Sequence, residues 1–157
     1  MAKTKGGTAM DKRKVYTAAF LAYGALMLWL LFDRPGYAEG IPYWEQVAQQ
    51  LNLVPFRTLR LFGSLLDSVR PDYVRSAVIN LGGNIIMFVP LGFLLPRVFP
   101  KLTSLFRVLL TTAVIISIVE TIQLFTLVGS CDIDDLILNV AGAALGYGLH
   151  RLTKPDC

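Results

Sequence analysis

The sequence predicts an all-α fold: a polytopic membrane helix bundle of about four transmembrane helices plus an amphipathic surface or re-entrant helix. Three observations predict it. The 157 residues are 54% hydrophobic, and the mean hydropathy is +0.55. Only 17% are charged, against about 25% in an average soluble domain. The apolar residues come in runs, and lipid is the simplest place to bury a run. The length suits one helical bundle rather than two domains.

The elements follow in order. Residues 1–14 are polar and basic, and read as a disordered cytoplasmic tail. Residues 15–32 carry no charge and are long enough to span. Gly36-Tyr37-Ala38 offers a signal-peptidase-like site, but the apolar run exceeds a signal core of about 7–15 residues, so a retained helix is expected. Residues 33–75 form the longest polar stretch, in which Pro35, Gly36, Gly40 and Pro42 mark irregular backbone. Over 56–69, apolar residues recur every three or four positions opposite Arg57, Arg60, Ser64 and Asp67, the pattern of an amphipathic helix. Tyr43, Trp44 and Tyr73 suit the headgroup level. Further spans are expected at 76–95 (containing Pro90 and closed by Pro96), 108–128 and 133–149, followed by a cytoplasmic tail over 151–157. Together, 15–150 form a single transmembrane domain.

Charge sets the orientation. With the N-terminus inside, ten of the fifteen basic residues are cytoplasmic. Both termini then face the cytoplasm. Cys131 lies outside and Cys157 inside, so this topology excludes a disulfide between them. The net charge of +4 comes from residues flanking apolar runs, so the partner it implies is anionic lipid and not nucleic acid. His150 is the only histidine, and no Cys/His spacing suits a metal. No metal and no cofactor are expected.

The polar residues of the spans gather near the outer face. Asn80 and Asn84 lie about 6 and 12 Å deep at 1.5 Å per residue. Glu120 and Gln123 lie about 12 and 7 Å from the outer end of their helix by the same rise. Asp132, Asp135 and Asn139 share a stripe that Gly142 and Gly146 continue. An ionised Glu120 facing lipid would cost at least about 2.5 kcal/mol, so an inward orientation is expected. The reading is an outer-facing ligand pocket of Asn80, Asn84, Glu120, Gln123, Asp132, Asp135 and Asn139, with Arg57, Arg60 and Arg75 placed to meet phosphate. The plainer reading of Gly142-x-x-x-Gly146 is helix packing.

These residues resemble a family. Asn80-Leu-Gly-Gly-Asn84-Ile-Ile-Met-Phe-Val-Pro90-Leu-Gly92-Phe-Leu-Leu-Pro96 is similar to the second helix of VanZ-like membrane proteins. Glu120-x-x-Gln123 is similar to their third, and Asp132-Ile-Asp134-Asp135-Leu-Ile-Leu-Asn139 with Gly142 and Gly146 to their fourth. Leu51-Asn52-Leu53-Val54-Pro55-Phe56 resembles the Asn-x-x-Pro-Phe element of their first loop. The resemblance covers residues 50–148. Many members carry an arginine shortly before the acidic turn, where this chain has Gly129-Ser130-Cys131.

The resemblance implies a four-helix protein of the bacterial cytoplasmic membrane, whose namesake is associated with resistance to teicoplanin-type glycopeptides. The first functional expectation is therefore a cell-envelope protein that binds a membrane lipid, a lipid-linked cell-wall intermediate or an amphiphilic glycopeptide. The second is an enzyme modifying a lipid headgroup, with Glu120 as acid/base and Asp132, Asp134 and Asp135 holding a divalent cation. It ranks lower because no nucleophile–base pair is evident. A small transporter ranks third, because no inverted repeat is visible.

Overall fold

A computed structural model describes residues 6–33, 36, 38–66 and 71–153 of the chain. Among them are six helices: α1 (Gly6–Phe32), α2 (Tyr43–Gln49), α3 (Arg57–Leu66), α4 (Pro71–Val98), α5 (Leu105–Thr126) and α6 (Ile133–Leu152). Two short strands, β1 (Leu51–Asn52) and β2 (Cys131–Asp132), pair in parallel, Leu51 with Cys131 and Asn52 with Asp132. The protein is a multi-pass membrane helix bundle.

The count of spans differs from expectation. Three helices are long and apolar enough to cross a membrane: Lys12–Phe32, Val78–Val98 and Leu105–Thr126. The expected fourth, over 133–149, does form a helix, α6. Asp134, Asp135, Asn139 and His150 lower its hydropathy, so composition alone does not qualify it.

The boundaries also differ in places. α1 begins at Gly6, within the segment expected to be a disordered tail. Extending a formed helix fixes one residue per added bond, so the polar segment propagates from the apolar one. Arg13 donates to the Val98 carbonyl (3.4 Å), at the C-terminus of α4 where carbonyls lack helical donors. Pro96, expected to close the second span, lies inside α4, which runs on to Val98. A proline removes only one helical donor, and here the helix continues past it. The amphipathic helix expected over 56–69 is α3; residues 67–69 lie outside the described residues. α2 and the strand pair were not foreseen.

α5 has clear stops. Ser104 accepts from the Arg107 N–H (3.3 Å), the N-cap geometry that sets the helix start three residues before 108. Leu127 is left-handed (φ 57°), and Val128 N–H reaches back to the Gln123 carbonyl (3.1 Å). That is a Schellman-type end made without glycine.

Packing is inverted relative to a water-soluble bundle. On α5, Phe106, Leu110, Val114, Ile118, Ile122 and Phe125 form an exposed stripe. The opposite face buries Val108, Thr112, Ile116, Glu120 and Gln123. Large apolar groups outside and polar groups inside is the arrangement lipid selects. Met27, Phe88, Leu91, Leu95, Val108 and Ile116 form the apolar core between α1, α4 and α5.

The most extensive helix contact is between α4 and α6. A Cβ on Gly142 would lie 2.1 Å from the Ile85 carbonyl oxygen. On Gly146 it would lie 2.0 Å from that of Val89, and on Gly92 1.9 Å from that of Ala143. The two backbones touch, so the glycines serve packing, as the small-x-x-x-small pattern suggested. Replacing Gly146 by Ala is expected to lower stability by about 1–3 kcal/mol, because the obstacle is backbone that cannot move aside. Gly148→Ala is the control: its Cβ would meet nothing within 4 Å, so helix propensity should leave stability unchanged or raised by up to about 1 kcal/mol. Thermal unfolding of both variants in detergent checks this, and equal melting temperatures would refute the close-contact account.

Candidate functional site

The α4–α6 contact fixes which polar side chains meet. Asn84 Nδ2 donates to Asp135 Oδ1 (2.5 Å), joining the two helices two turns along α6 from Gly142. Asn80 is one turn away from Asn84 on α4, and Asn139 one turn beyond Asp135 on α6. α5 adds Glu120 and Gln123. These six side chains line one cavity of about 90 Å³. That is room for about three waters at liquid density. Asn80 is exposed at its rim, whereas Glu120, Gln123 and Asn139 are buried.

The buried groups differ in whether they are satisfied. Gln123 Nε2 donates to the Leu31 carbonyl (2.8 Å) in the last turn of α1, so this amide ties α5 to α1 as well as lining the cavity. Glu120 Oε2 receives a long contact from the Cys131 thiol (3.9 Å). Glu120 Oε1 and Asn139 Oδ1 are buried and accept no hydrogen bond from any described residue. Buried acceptors are nearly always paired, so two open ones on one cavity wall need a reason. No described basic residue lines this cavity.

The other expected site residues lie elsewhere. Asp132 is not on the cavity wall. Its Oδ1 caps α6 by accepting from the Asp134 N–H (2.9 Å) and also takes Asn52 Nδ2 (3.1 Å). Its Oδ2 accepts from the Thr58 hydroxyl (2.6 Å). A residue that begins a helix with its side chain folded back onto the chain cannot also point into the bundle. Arg57, Arg60 and Arg75 are exposed and also off the wall. They lie in α3 and in the first turns of α4, and long basic side chains there keep their charge in polar surroundings.

The roles of two residues were missed: Asp134, expected only as a candidate cation ligand, and Gln46. Asp134 is fully buried and accepts from the backbone N–H groups of Phe56 (2.5 Å) and Thr58 (2.8 Å). It therefore caps α3 from another helix and holds Phe56 in its left-handed conformation (φ 63°). Local sequence gave no signal for this, since the partners are 76 and 78 positions apart. Gln46 is also buried; it pairs with Ala38 through both backbone groups (3.0 Å each) and donates to the Ile41 carbonyl (2.7 Å). Asp132 and Asp134 are thus engaged in structure and do not form one oxygen site with Asp135. Among the described residues no group of three His, Cys, Asp or Glu side chains is arranged to hold a metal.

The joined motifs are those that resemble one family. A family model described as VanZ/LLP1 matches residues 20–154. The chain belongs to the VanZ/LLP1 family. Protein VanZ of Enterococcus faecium is 26% identical over 142 residues, covering 90% of this chain and 77% of that protein. No solved structure matches. In this VanZ-like protein, the first-loop element and the acidic turn are one unit. β1 pairs with β2, Asn52 bonds Asp132, and Asp134 caps the helix after Phe56.

Cys131 borders the site. Burial pushes its thiol above the usual range, and the carboxylates of Glu120 and Asp132 act in the same direction. The thiolate is therefore scarce at neutral pH, and Cys131 should react slowly with maleimide and faster as pH rises. Asp134→Asn is expected to destabilise the protein by about 1–3 kcal/mol, because an amide offers one acceptor to two backbone donors. Hydrogen exchange should show the loss first at the N-terminus of α3. Unchanged protection at Phe56 and Thr58 would contradict the capping role.

Proposed function

We propose that this VanZ-like protein holds an amphiphile of the cell envelope in the Glu120 cavity: a membrane lipid, a lipid-linked cell-wall intermediate or an amphiphilic glycopeptide. One observation carries the reading. Glu120 Oε1 and Asn139 Oδ1 are buried acceptors without donors on the wall of a single cavity. An unmet acceptor inside a bundle costs about 1–3 kcal/mol, and a ligand supplying N–H or O–H groups offsets that cost. In this low-dielectric site such bonds are stronger than in water. Arg57, Arg60 and Arg75 are exposed, and in this reading meet a phosphate outside the cavity.

The topology belongs to the same proposal. α6 is the fourth crossing: its 20 residues span about 30 Å, the thickness of the hydrocarbon core. Its polar first turn is sheltered by α3 and β1, and its glycines lie on α4. Both termini then face the cytoplasm of a bacterial inner membrane, in agreement with the charge bias. Arg97 supports this orientation. Its guanidinium stacks on the Phe93 ring (3.6 Å to the centroid) and bonds Thr153 Oγ1 (2.5 Å), at the end of the bundle away from the acidic turn.

The resemblance to the glycopeptide-resistance namesake sets the functional assay. Expressed in a susceptible host, the wild-type chain is expected to raise tolerance to a teicoplanin-type glycopeptide. Glu120→Gln and Asp135→Asn should lose most of that effect at unchanged expression and melting temperature. Full tolerance in both variants would defeat the cavity reading. For the topology, a membrane-impermeant maleimide at mildly alkaline pH should label Cys131 in intact cells. Cys157, which lies outside the described residues, should be labelled only after permeabilisation. Labelling of Cys157 in intact cells would reverse the orientation.

A further inference from the structure

The hydrogen bonds of the acidic turn set its depth. α4 is apolar enough to cross a membrane from Val78 to Val98, and α5 from Leu105 to Thr126. Asn84 lies six residues inside the first stretch, and Glu120 six residues before the end of the second. Each is therefore about 9 Å inside at 1.5 Å per residue. The two side chains line one cavity, so both helices place the edge of the apolar layer at the same level. Asp135 bonds Asn84 and shares that level. Its neighbour Asp134 accepts from the N–H groups of Phe56 (2.5 Å) and Thr58 (2.8 Å). The turn before α3 is thereby held about 9 Å inside the apolar layer, not above it. The chain descends to it from the edge. Tyr43, where α2 begins, donates its hydroxyl to the Phe125 carbonyl (2.7 Å) in the last turn of α5. The 10 residues of α3 then span about 15 Å, enough to climb back.

The turn has the two properties that lipid demands of irregular backbone. Its side chains are apolar and uncovered: Leu53, Val54 and Phe56 are 62%, 58% and 50% exposed. Ile118 and Ile122, which bracket the same height on the outer stripe of α5, are 54% and 45% exposed. Its backbone donors are also answered within the protein. Val54 N–H donates to Asn52 Oδ1 (3.4 Å), and Arg57 N–H to the Val54 carbonyl (3.3 Å). Phe56 and Thr58 donate to Asp134, and Pro55 has no donor. A loop in water leaves such groups to the solvent, whereas in hydrocarbon each must find a partner inside the protein. Arg57 and Arg60 are exposed on α3, and their long stems let the charged heads snorkel back to the phosphates.

We infer that residues 51–58 form a re-entrant turn inserted in the bilayer, with Leu53, Val54 and Phe56 against the acyl chains of the leaflet at this end of the bundle. The turn also encloses the acids that share its depth. Asp132 and Asp134 are 8% and 0% exposed, and Asn52, Phe56 and Thr58 supply the donors that surround them. Acids within a membrane face the protein interior, and this segment is the interior they face. The placement holds whatever the Glu120 cavity binds.

The first test uses the unaltered full chain in vesicles of phosphatidylcholine and phosphatidylglycerol doped with a phosphatidylcholine that carries a diazirine midway along one acyl chain. After irradiation, fragment-ion mass spectrometry should place adducts on residues 53–56, as on Ile118 and Ile122. Glu39, exposed in the turn before α2, should carry none. Adducts on Ile118 and Ile122 with none on residues 53–56 overturn the insertion. The second test compares two substitutions at one exposed position in the same vesicles. Val54→Asp should lower the melting temperature by several degrees and Val54→Leu should leave it unchanged, because a carboxylate among acyl chains is costly and a larger apolar group is not. Equal melting temperatures for the two variants, the result expected of an exposed residue in water, overturn it as well.

Discussion

At three points between α4 and α6 there is no room for a side chain. Gly142, Gly146 and Gly92 each face a backbone carbonyl or chain at a distance no Cβ tolerates. That contact sets the register of the two helices, and the register sets the site. With Gly142 against Ile85, Asn84 falls opposite Asp135 and the two side chains bond. Association of helices in lipid lacks a hydrophobic drive, so close backbone approach and interhelical hydrogen bonds must supply it. This pair of helices uses both within two turns.

The same scarcity of water sorts the polar residues into two groups. Asp132, Asp134, Gln46 and Gln123 are buried and answered by named partners in loops and helix ends. They tie connecting segments and helix ends together: the first loop to the acidic turn, and α5 to the end of α1. Glu120 and Asn139 each keep an acceptor open to the cavity. A chain under selection for stability alone would have apolar groups there, because replacing both members of a buried polar pair is often neutral or favourable. Thr112 Oγ1 and Gln50 Oε1 are also buried without a partner among the described residues but lie off this cavity. What marks the candidate site is that two open acceptors converge on one cavity wall.

The acidic turn shows why a motif read as a whole can mislead about its members. Asp132, Asp134 and Asp135 are neighbours in sequence, a spacing that suggests a loop-bound cation. In the structure they point three ways: Asp132 to its own helix start and to Thr58, Asp134 into the start of α3, and Asp135 to Asn84. A helix start turns the side chains of successive residues through about 100° each, so adjacent carboxylates diverge.

The sequence by itself determined the membrane class, the location of the three long apolar helices and the polar faces of α4, α5 and α6, because these follow from composition and helical period, which are local. It also carried the joint motif spacing by which the family is recognised. It predicted a fourth span over 133–149, which forms a helix whose composition alone does not qualify it to cross, and it missed α2, the strand pair, the start of α1 and the path of α4 through Pro96. Only the tertiary structure decided that Asp132 and Asp134 serve the scaffold, that Arg57, Arg60 and Arg75 stand off the cavity wall, and that Asn84, Glu120, Gln123, Asp135 and Asn139 line one cavity. The reason is separation: those partners are 74 to 80 residues apart or on three different helices, and no local rule of period, charge or capping reaches across that distance.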